Sequence, residues 1–432
     1  MTKLISRLLI WFAIGALSAL GAIACAPAGS QPIAPVRPDG QEIVVWHSYE
    51  GALRAALLTQ IDEFNATNPW HVVIVPEFHG TATELGTQIT AAVANGSAPD
   101  LVIRPAAAGW SLGSAVVPMQ QFTSDTRFGL TATDLDDLYP AMLDMTRDPR
   151  TGELVGFPLG GEGVVLVYNS DRLATGNYFA APDSWPLFKE VCQALTKDTN
   201  ADSQPDVYGF GFEPRADFAT AWLNSRGGSI ISADGTRTSF NGDDGVRTLT
   251  TLQETAASGC FYRSGADAIR DFAHGKVAMI FVQSTQLSAV STAVAARFRR
   301  GVSPVPYGRR TPSLTINGPA WVMLRSTPAR QLAAWLFVRW FSESPQTVRW
   351  SNLTGLLPLR RSAAQGLANV FAANVGFKVA FDLLAVAQAQ PDVPQWGSIA
   401  ELLVRAVNSV VVGRDPAQAL NEAAVAADAL LK

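Results

Sequence analysis

EIVVWHSYEGALRAALLTQIDEFNATNPWHVVIVPE, residues 42–77, contains two apolar runs on either side of an amphipathic segment. The runs at 43–46 and 72–75 are rich in β-branched residues, which predicts buried strands. Between them, apolar residues recur at i, i+3 and i+4 spacing over 53–64, which predicts a helix. Pro69 would end that helix, because proline cannot continue helical geometry. Strand, loop, helix and strand together form the βαβ unit of a parallel sheet.

Four side chains in the loop after the first strand are candidates for contacting a ligand. Ligands of parallel sheets bind outside the carboxyl ends of the strands, which is where this loop lies. Its imidazole, hydroxyl, phenol and carboxylate groups together suit a polyhydroxylated ligand. The alternative is that these residues only cap the helix that follows. The four residues are His47, Ser48, Tyr49 and Glu50.

The composition sets broad limits on the class of protein. The chain has 432 residues, of which 48% are hydrophobic and 16% are charged. It is long enough for two or three domains with large cores, and this composition excludes wholesale disorder. The formal net charge of −4 argues against a nucleic-acid partner, which would require a basic surface.

The N-terminus has the features of an export signal. Lys3 and Arg7 precede an apolar stretch at 8–24, which predicts a signal peptide over residues 1–25. The AIAC sequence that ends at Cys25 resembles a lipobox, so we expect lipidation of Cys25 and anchoring to the extracytoplasmic face of the membrane. Cleavage by an ordinary signal peptidase nearby and an uncleaved anchor helix are the alternatives. Residues 26–40 are rich in proline and small residues, which predicts a tether.

Several segments match one known family in content and in order. WHSYEG, followed by a helix that ends IDEFNATNP, resembles the start of a mature extracellular solute-binding protein of family 1. These proteins are the sugar and glycerol-phosphate receptors of ABC importers. The resemblance extends over nearly the whole chain after about residue 40. The further matching segments are NGSAPDLV (95–102), GFPLGGEGVVLVYN (156–169), DFAHGKVAM (271–279), GPAWVM (318–323), TGLLPLR (354–360) and DPAQALNEA (415–423).

The resemblance implies an α/β chain with the two-lobed, periplasmic-binding-protein-like fold of type II. Each lobe is expected to be a sheet flanked by helices, with three hinge crossovers between the lobes and the ligand bound between them. The expected first lobe is 41–157 plus 275–350, and the expected second lobe is 158–274 plus 351–432. Glycines at 160, 161 and 163 would give the first crossover the backbone freedom of a hinge.

Four polar residues outside the first loop are also predicted to contact the ligand. Glu162 resembles the position where maltose-type members carry a ligand-binding carboxylate. Ser284 and Asn317 lie at the ends of predicted strands. Arg360 is the fourth candidate, and a solvated surface arginine would explain the sequence equally well. The four residues are Glu162, Ser284, Asn317 and Arg360.

Two tryptophans are predicted to stack on a sugar ring in the cleft. Aromatic faces can cover the apolar C–H face of a sugar, although a tryptophan is more often part of a core. Trp222 is one candidate. Trp396 is the other, because it lies in PQWG, outside any periodic run, where the family often places a stacking aromatic.

An acidic loop at 198–206 has the spacing of a calcium-binding loop. Oxygen-bearing side chains stand at its positions one, three, five and nine, a spacing that can fold around a hard cation. Serine replaces the usual glycine at position six, and a solvated acidic turn is the alternative. The candidate ligands of a structural calcium ion are Asp198, Asn200, Asp202, Gln204 and Asp206.

Two cysteines remain in the mature chain after Cys25 is set aside. Cys192 and Cys260 both fall in the expected second lobe. An exported protein folds in an oxidising environment, so we expect a disulfide between them. Two buried free thiols are the alternative, because sequence does not give their distance.

The resemblance implies a receptor that binds its ligand without bond chemistry and without a cofactor. A monomer would bind a sugar or oligosaccharide between its lobes, close, and deliver it to the transmembrane subunits of an ABC permease. Glycerol-phosphate receptors carry an aromatic soon after the glycine that matches Gly80, and an acidic residue soon after an Ala-Pro turn. Here residues 81–83 read TAT and 104–107 read RPAA, which favours a neutral sugar.

Other classes of function are less well supported by the sequence. GWSLG at 109–113 matches the G-x-S-x-G elbow of hydrolases, with Ser111 as nucleophile and His274 as the one histidine after it. That elbow needs a strand running directly into its first glycine, and residues 105–108 separate it from the predicted strand. A surface adhesion or sensory protein on the same fold is the remaining alternative.

Overall fold

Two mixed β-sheets flanked by helices form the computed structural model, which describes residues 36–105, 112–308, 311–390 and 393–432. Residues Arg37–Lys432 pack as one compact unit. None of the helices among the described residues is long and apolar enough to cross a membrane. The strands are β1 (Glu42–His47), β2 (Val73–Phe78), β3 (Leu101–Arg104), β4 (Gly156–Pro158), β5 (Glu162–Asn169), β6 (Tyr208–Phe212), β7 (Phe261–Arg263), β8 (Val277–Gln283), β9 (Arg300–Pro304), β10 (Leu314–Asn317), β11 (Ala320–Met323) and β12 (Ala387–Ala389).

Helices of very different lengths connect these strands. The helices are α1 (Gly51–Thr67), α2 (Ala82–Asn95), α3 (Gln120–Thr123), α4 (Ala132–Asp137), α5 (Pro140–Asp144), α6 (Ser170–Thr175), α7 (Trp185–Leu195), α8 (Ala216–Arg226), α9 (Asp243–Ala257), α10 (Ala268–Ala273), α11 (Leu287–Val294), α12 (Pro328–Phe341), α13 (Ser344–Thr354), α14 (Ala363–Gly366), α15 (Ala368–Ala373), α16 (Val375–Asp382), α17 (Trp396–Val411) and α18 (Pro416–Leu431). Short 3-10 turns lie at Gly113–Ala115, Gly265–Asp267, Ser284–Gln286 and Leu383–Val386.

The first sheet has the strand order β2-β1-β3-β11-β4 and contains the predicted βαβ unit. β1 pairs in parallel with both β2 and β3, while β11 runs antiparallel to β3 and β4. α1 buries Leu57, Ile61 and Phe64, which are three of the residues whose spacing predicts the helix. Asn68 ends α1, and its side-chain amide donates to the carbonyl oxygens of residues 64 and 72. The prediction of strand, helix and parallel strand is therefore confirmed.

The second sheet has the order β12-β10-β5-β8-β6-β7, with β9 also paired to β5. β8 is buried along its whole length and pairs antiparallel with β5 and parallel with β6. The expectation that residues 275 onward return to the first lobe is therefore wrong for β8, β9 and β10. The chain rejoins the first sheet at β11. An apolar strand that is buried on both faces fits the middle of either sheet, so its sequence does not reveal which sheet it joins.

The chain crosses between the two sheets three times within the described residues. The crossings are β4 to β5, β10 to β11, and the segment 355–362 after α13. Backbone hydrogen bonds join the crossings side by side. Leu159 N–H donates to the oxygen of Pro319 at 2.9 Å, and Gly161 and Leu357 exchange hydrogen bonds at 3.0 and 2.6 Å. The two lobes therefore share one hydrogen-bonded hinge.

Two hinge glycines are required because the crossing segments touch. A Cβ atom on Gly318 would lie 2.3 Å from the carbonyl oxygen of Gly160, and Gly160 itself has a φ of 152°. Gly163, also predicted to serve the hinge, lies inside β5. A Cβ there would lie 2.6 Å from a methyl carbon of Leu314, so Gly163 allows close packing within the second sheet.

The C-terminal helices complete the second lobe. Ile399, Leu403 and Val407 of α17 belong to the same buried cluster as the aromatic residues beneath the second sheet. A disulfide joins Cys192 of α7 to Cys260, with the two Cα atoms 5.7 Å apart. The pairing in the structure agrees with the predicted disulfide, and it ties α7 to the start of β7.

Candidate functional site

A cavity of about 810 Å³ lies between the two lobes. The side chains that line it differ between the lobes. The first lobe contributes mainly apolar and aromatic groups, including Tyr49, Leu53, Pro105 and Trp350. The second lobe and the crossovers contribute mainly polar groups, including Glu162, Arg215, Asp217, Gln283, Thr285, Asn317 and Gln390. A volume of this size, lined by aromatic residues and a few polar ones, is typical of a small-molecule site.

Four of the predicted ligand residues line this cavity. Tyr49 follows the carboxyl end of β1, as the parallel sheet requires, and its ring centroid lies 5.9 Å from that of Trp350. Burial raises the pKa of the Tyr49 phenol, which keeps it a hydrogen-bond donor. The other three are Glu162 at the start of β5, Asn317 at the end of β10 and Trp396 at the start of α17. Their contact with a ligand is still a prediction.

The other three residues of the first loop lie outside the cavity wall. His47 is 1% exposed, and its Nδ1 atom accepts the backbone N–H of Tyr49 at 3.1 Å. It therefore shapes the loop that presents Tyr49. Glu50 precedes α1, but its side chain makes no capping hydrogen bond to a described residue. Ser48 lies between them and is partly exposed.

His47 should make the protein sensitive to mild acid. Burial, followed by the charges of Arg54 and His79, lowers the pKa of His47 to about 4. The unfolded chain takes up a proton near pH 6.5, whereas the folded chain does not, so unfolding becomes easier as the pH falls from 6.5 to 4. We expect this histidine to cost on the order of 3 kcal/mol of stability across that range.

Urea denaturation at several pH values would measure this effect. His47→Asn should flatten the loss of stability between pH 6.5 and 4 relative to the natural sequence. His71→Asn is the matched control, because His71 is exposed and has a φ of 53°, which asparagine tolerates. Equal pH dependence in both variants would contradict the assignment.

The structure places three predicted ligand residues away from the cavity wall. Trp222 is 1% exposed and packs in the core of the second lobe. Ser284 is buried, and its hydroxyl oxygen accepts the backbone N–H of Gly163 at 3.2 Å. Arg360 is 4% exposed rather than solvated, because it forms ion pairs with Asp134 at 3.0 Å and Asp137 at 3.4 Å. Each of the three therefore stabilises the fold through these contacts and does not line the cavity.

The second-lobe wall contains a polar network whose members, apart from Glu162, were not predicted from the sequence. Arg215 and Asp217, at the start of α8, form a bidentate ion pair with N–O distances of 3.0 and 2.8 Å. Gln283 Nε2 donates to Asp217 at 2.6 Å, and Thr285 donates to Glu162 at 2.5 Å. Burial raises the pKa of Glu162. Ser284 was the residue predicted here, but its two neighbours, Gln283 and Thr285, line the cavity instead.

The loop predicted to bind calcium closes on itself through hydrogen bonds. The Asp198 carboxylate accepts the backbone N–H groups of residues 200, 201 and 203 at 2.7–3.2 Å. Asp206 accepts the backbone N–H and the hydroxyl of Thr199. The described residues contain no group of three or more His, Cys, Asp or Glu side chains arranged to hold a metal. A role for Asn200, Asp202 and Gln204 in binding calcium therefore rests on sequence spacing alone.

Two further predictions fall partly or wholly outside the described residues. Cys25 and the signal segment are among the residues that the structure does not describe, and so is Ser111. His274, the expected partner of Ser111, is exposed, and its Nδ1 atom lies 2.8 Å from the carbonyl oxygen of Arg270.

Two lobes joined by one hinge, with a lined cavity between them, define a two-lobed binding protein. The chain belongs to the family described as bacterial extracellular solute-binding protein, whose model matches residues 59–379. One relative is the sn-glycerol-3-phosphate-binding periplasmic protein UgpB of Shigella dysenteriae serotype 1. It is 25% identical over 338 residues, which cover 74% of this chain and 75% of the relative.

Solved structures of similar proteins show the same fold. The cyclic alpha-maltosyl-1,6-maltose binding protein from Arthrobacter globiformis has a TM-score of 0.78 at 20% identity, covering 90% of this chain and 99% of its own. The sugar-binding protein MalE from Xanthomonas citri has a TM-score of 0.77 at 19% identity, with coverages of 90% and 97%. UgpB from Mycobacterium tuberculosis in complex with glycerophosphocholine has a TM-score of 0.73 at 18% identity, with coverages of 90% and 98%.

Proposed function

We propose that this protein is the receptor of an ABC importer and that it binds a sugar or oligosaccharide between its lobes. The observation that carries the proposal is the cavity itself, which joins an aromatic wall to a polar wall. Aromatic faces cover the apolar face of a sugar ring, and polar side chains take its hydroxyl groups. The names of relatives that bind maltose derivatives, and of sugar-binding proteins in general, support the same substrate class.

Binding is proposed to act through closure of the hinge, without bond chemistry or a cofactor. Because residues from both lobes line the cavity, a bound ligand would contact both walls and favour the closed arrangement. The closed monomer would then dock on the permease and release its ligand. The hydrogen-bonded crossovers supply a hinge about which such closure can occur.

We further infer that the protein is held at the extracytoplasmic face of the cell membrane. Lipidation of Cys25 and a tether at 26–40 would place the lobes near the permease. The family description as extracellular, and the periplasmic naming of the relatives, support this side of the membrane. Mass spectrometry of the membrane-extracted protein would detect a lipid on Cys25, and an unmodified N-terminus at another residue would contradict the anchor.

A glycerol-phosphate ligand is the second candidate. It is favoured by the names of the curated relatives, which bind sn-glycerol 3-phosphate. Among the described residues that line the cavity, Arg215 is the one cation, and it is paired with Asp217. The sugar is therefore the better-supported ligand class, and titration with both classes distinguishes them.

Trp396→Ala should weaken sugar binding by about tenfold or more, because loss of one aromatic contact removes about 1.5–3 kcal/mol. The mature chain would first be screened by thermal shift against mono- and oligosaccharides and glycerol 3-phosphate, since a ligand that binds the folded state raises the melting temperature. Calorimetric titration with the best ligand would then compare the variants.

Phe179→Ala is the matched control for this experiment. Phe179 is 85% exposed and lies outside the cavity wall, so its removal should leave the affinity unchanged. Equal affinities of the two variants would show that Trp396 does not contact the ligand. A screen in which neither sugars nor glycerol 3-phosphate shift the melting temperature would count against the proposed function.

A further inference from the structure

The second-lobe wall of the cavity combines negative charge with hydrogen-bond acceptors. We propose that this wall selects a solute that carries a positively charged nitrogen, so that an amino sugar binds more tightly than its neutral counterpart. The inference rests on the proposed function, because it names the class of sugar that the same cavity takes. It follows from the surroundings of three side chains, Arg215, Gln283 and Glu162.

Arg215 does not leave a free positive charge in the wall. Its Nε and Nη2 atoms donate to the two oxygens of Asp217 at 3.0 and 2.8 Å, and its Nη1 atom lies 3.6 Å from Glu213. Its guanidinium also lies over the ring of Phe218, 4.9 Å from the centroid. Two carboxylates thus oppose one guanidinium. With Glu162 added, this part of the wall carries a negative excess that a cation would neutralise.

Gln283 is held in the wall by the same network. The side chain is 3% exposed, and its Nε2 atom donates to Asp217. An ionised carboxylate can only accept hydrogen bonds, so the amide nitrogen must face Asp217 and the carbonyl oxygen must face away from it. That oxygen is buried within the wall. Asp217, itself fixed by Arg215, therefore holds the Gln283 amide in one orientation.

Glu162 adds a carboxylate that forms no ion-pair contact with a described residue. Thr285 donates one hydrogen bond to it at 2.5 Å, and no Lys, Arg or His nitrogen of the described residues lies within 4.0 Å. Burial raises the pKa of Glu162 and the charge of Asp217 adds to this, while the hydrogen bond from Thr285 and the charge of Arg215 oppose it in part. An ammonium group offers three donors and a positive charge, whereas a phosphate offers negative charge and repulsion.

The opposite wall tolerates a cation. Tyr49 and Trp350 stand in the first-lobe wall with their ring centroids 5.9 Å apart, and Trp396 borders the cavity as well. Aromatic faces attract ammonium groups through their ring quadrupoles. A charged amine between the two walls would therefore meet acceptors on one side and aromatic rings on the other.

Calorimetric titration of the mature chain with matched pairs of sugars tests the proposal. The probes are glucosamine against glucose, fully deacetylated chitotriose against cellotriose, and glycerol 3-phosphate as the anion. We expect the amino member of a pair to bind about tenfold more tightly at neutral pH, because charge-assisted hydrogen bonds are about twice as strong as neutral ones. Glycerol 3-phosphate should bind more weakly than either.

Two variants separate the charge of Glu162 from a general effect. Glu162→Gln keeps the shape of the side chain but removes its charge, so the ratio of the two affinities should fall towards one. Glu401→Gln is the control, since Glu401 has a side chain 76% exposed on α17 and the ratio should stay as in the natural sequence.

The possible outcomes distinguish this proposal from the proposed function. Neutral sugars that bind as tightly as their amino counterparts would overturn the amine preference and leave the sugar receptor standing. If Glu162→Gln still binds the amino sugar more tightly, the charge of Glu162 does not cause the preference. Tighter binding of glycerol 3-phosphate would overturn the charge argument in favour of a phosphate receptor. Binding of no probe would count against both proposals.

Discussion

Trp222→Ala should lower the free energy of unfolding by about 3–5 kcal/mol, while the folded variant keeps its affinity for ligand. Trp222 is 1% exposed, and its ring packs against those of Trp185, Phe212 and Phe281, with centroids 5.7–6.3 Å apart. Removing it leaves a cavity under the second sheet that rigid aromatic neighbours cannot fill. Urea denaturation followed by circular dichroism would give the loss of stability.

Trp222→Phe provides a milder variant in case the alanine variant does not fold. The Nε1 atom of Trp222 has no hydrogen-bond partner among the described residues, so phenylalanine loses ring volume but no hydrogen bond. Trp396→Ala should show the reverse pattern, with a large loss of affinity and a smaller loss of stability. If a Trp222 variant is fully folded but binds ligand as weakly as Trp396→Ala, then Trp222 contacts the ligand and the core assignment is wrong.

Local pattern was enough to predict the elements of the first sheet. The two apolar runs predict β1 and β2, and the helical spacing of apolar residues between them predicts α1. In the structure the two strands pair in parallel. The segment that forms β8, however, was expected in the first lobe and belongs to the second sheet. VAMIFVQ is buried at every position, and a strand with no exposed face carries no information about which sheet surrounds it. Sheet membership depends on pairing with distant strands, which a single sequence does not show.

Residues that line the cavity were predicted where the local segment or the family resemblance indicated them. Tyr49 could be placed because it directly follows a parallel strand. Gln283 could not, because its place in the wall depends on a hydrogen bond to Asp217, 66 positions earlier in the chain. Choosing Ser284 over Thr285 was an error of side-chain direction, since a 3-10 turn points successive residues to different sides.

Arg360 was also misjudged because its partners are distant in the chain. Burial of an arginine is rare unless it is paired, so a surface position is the natural expectation from sequence. Its partners Asp134 and Asp137 lie more than 200 positions earlier in the chain and belong to the short helix α4. Its Nε atom also donates to the carbonyl oxygen of Ser342 at 2.6 Å. Arg360 thus joins the third crossover to α4 and to the end of α12.

Arg360→Met should lower the free energy of unfolding by about 3 kcal/mol, towards the lower end of the range for broken buried ion pairs, because the two aspartates are partly exposed. Methionine keeps the length of the side chain, so the loss reflects charge and hydrogen bonds more than packing. Arg361→Met is the matched control. Arg361 is exposed and lies over the ring of Tyr139, 4.5 Å from the centroid, so its loss should cost less than about 1 kcal/mol.

The pH dependence of the same variant gives an independent check. Burial raises the pKa of Asp134, but hydrogen bonds from Thr131 and the charge of Arg360 outweigh it, and the net pKa lies below the ordinary value. A carboxylate with a lowered pKa contributes stability above its unfolded pKa, and that contribution is lost as the pH falls through the folded pKa. In Arg360→Met the folded pKa should move upward, so the stability gap to the natural sequence should shrink in acid. A gap that stays constant from pH 7 to pH 3, or that is matched by Arg361→Met, would show that the ion pairs contribute nothing and that Arg360 acts through packing alone.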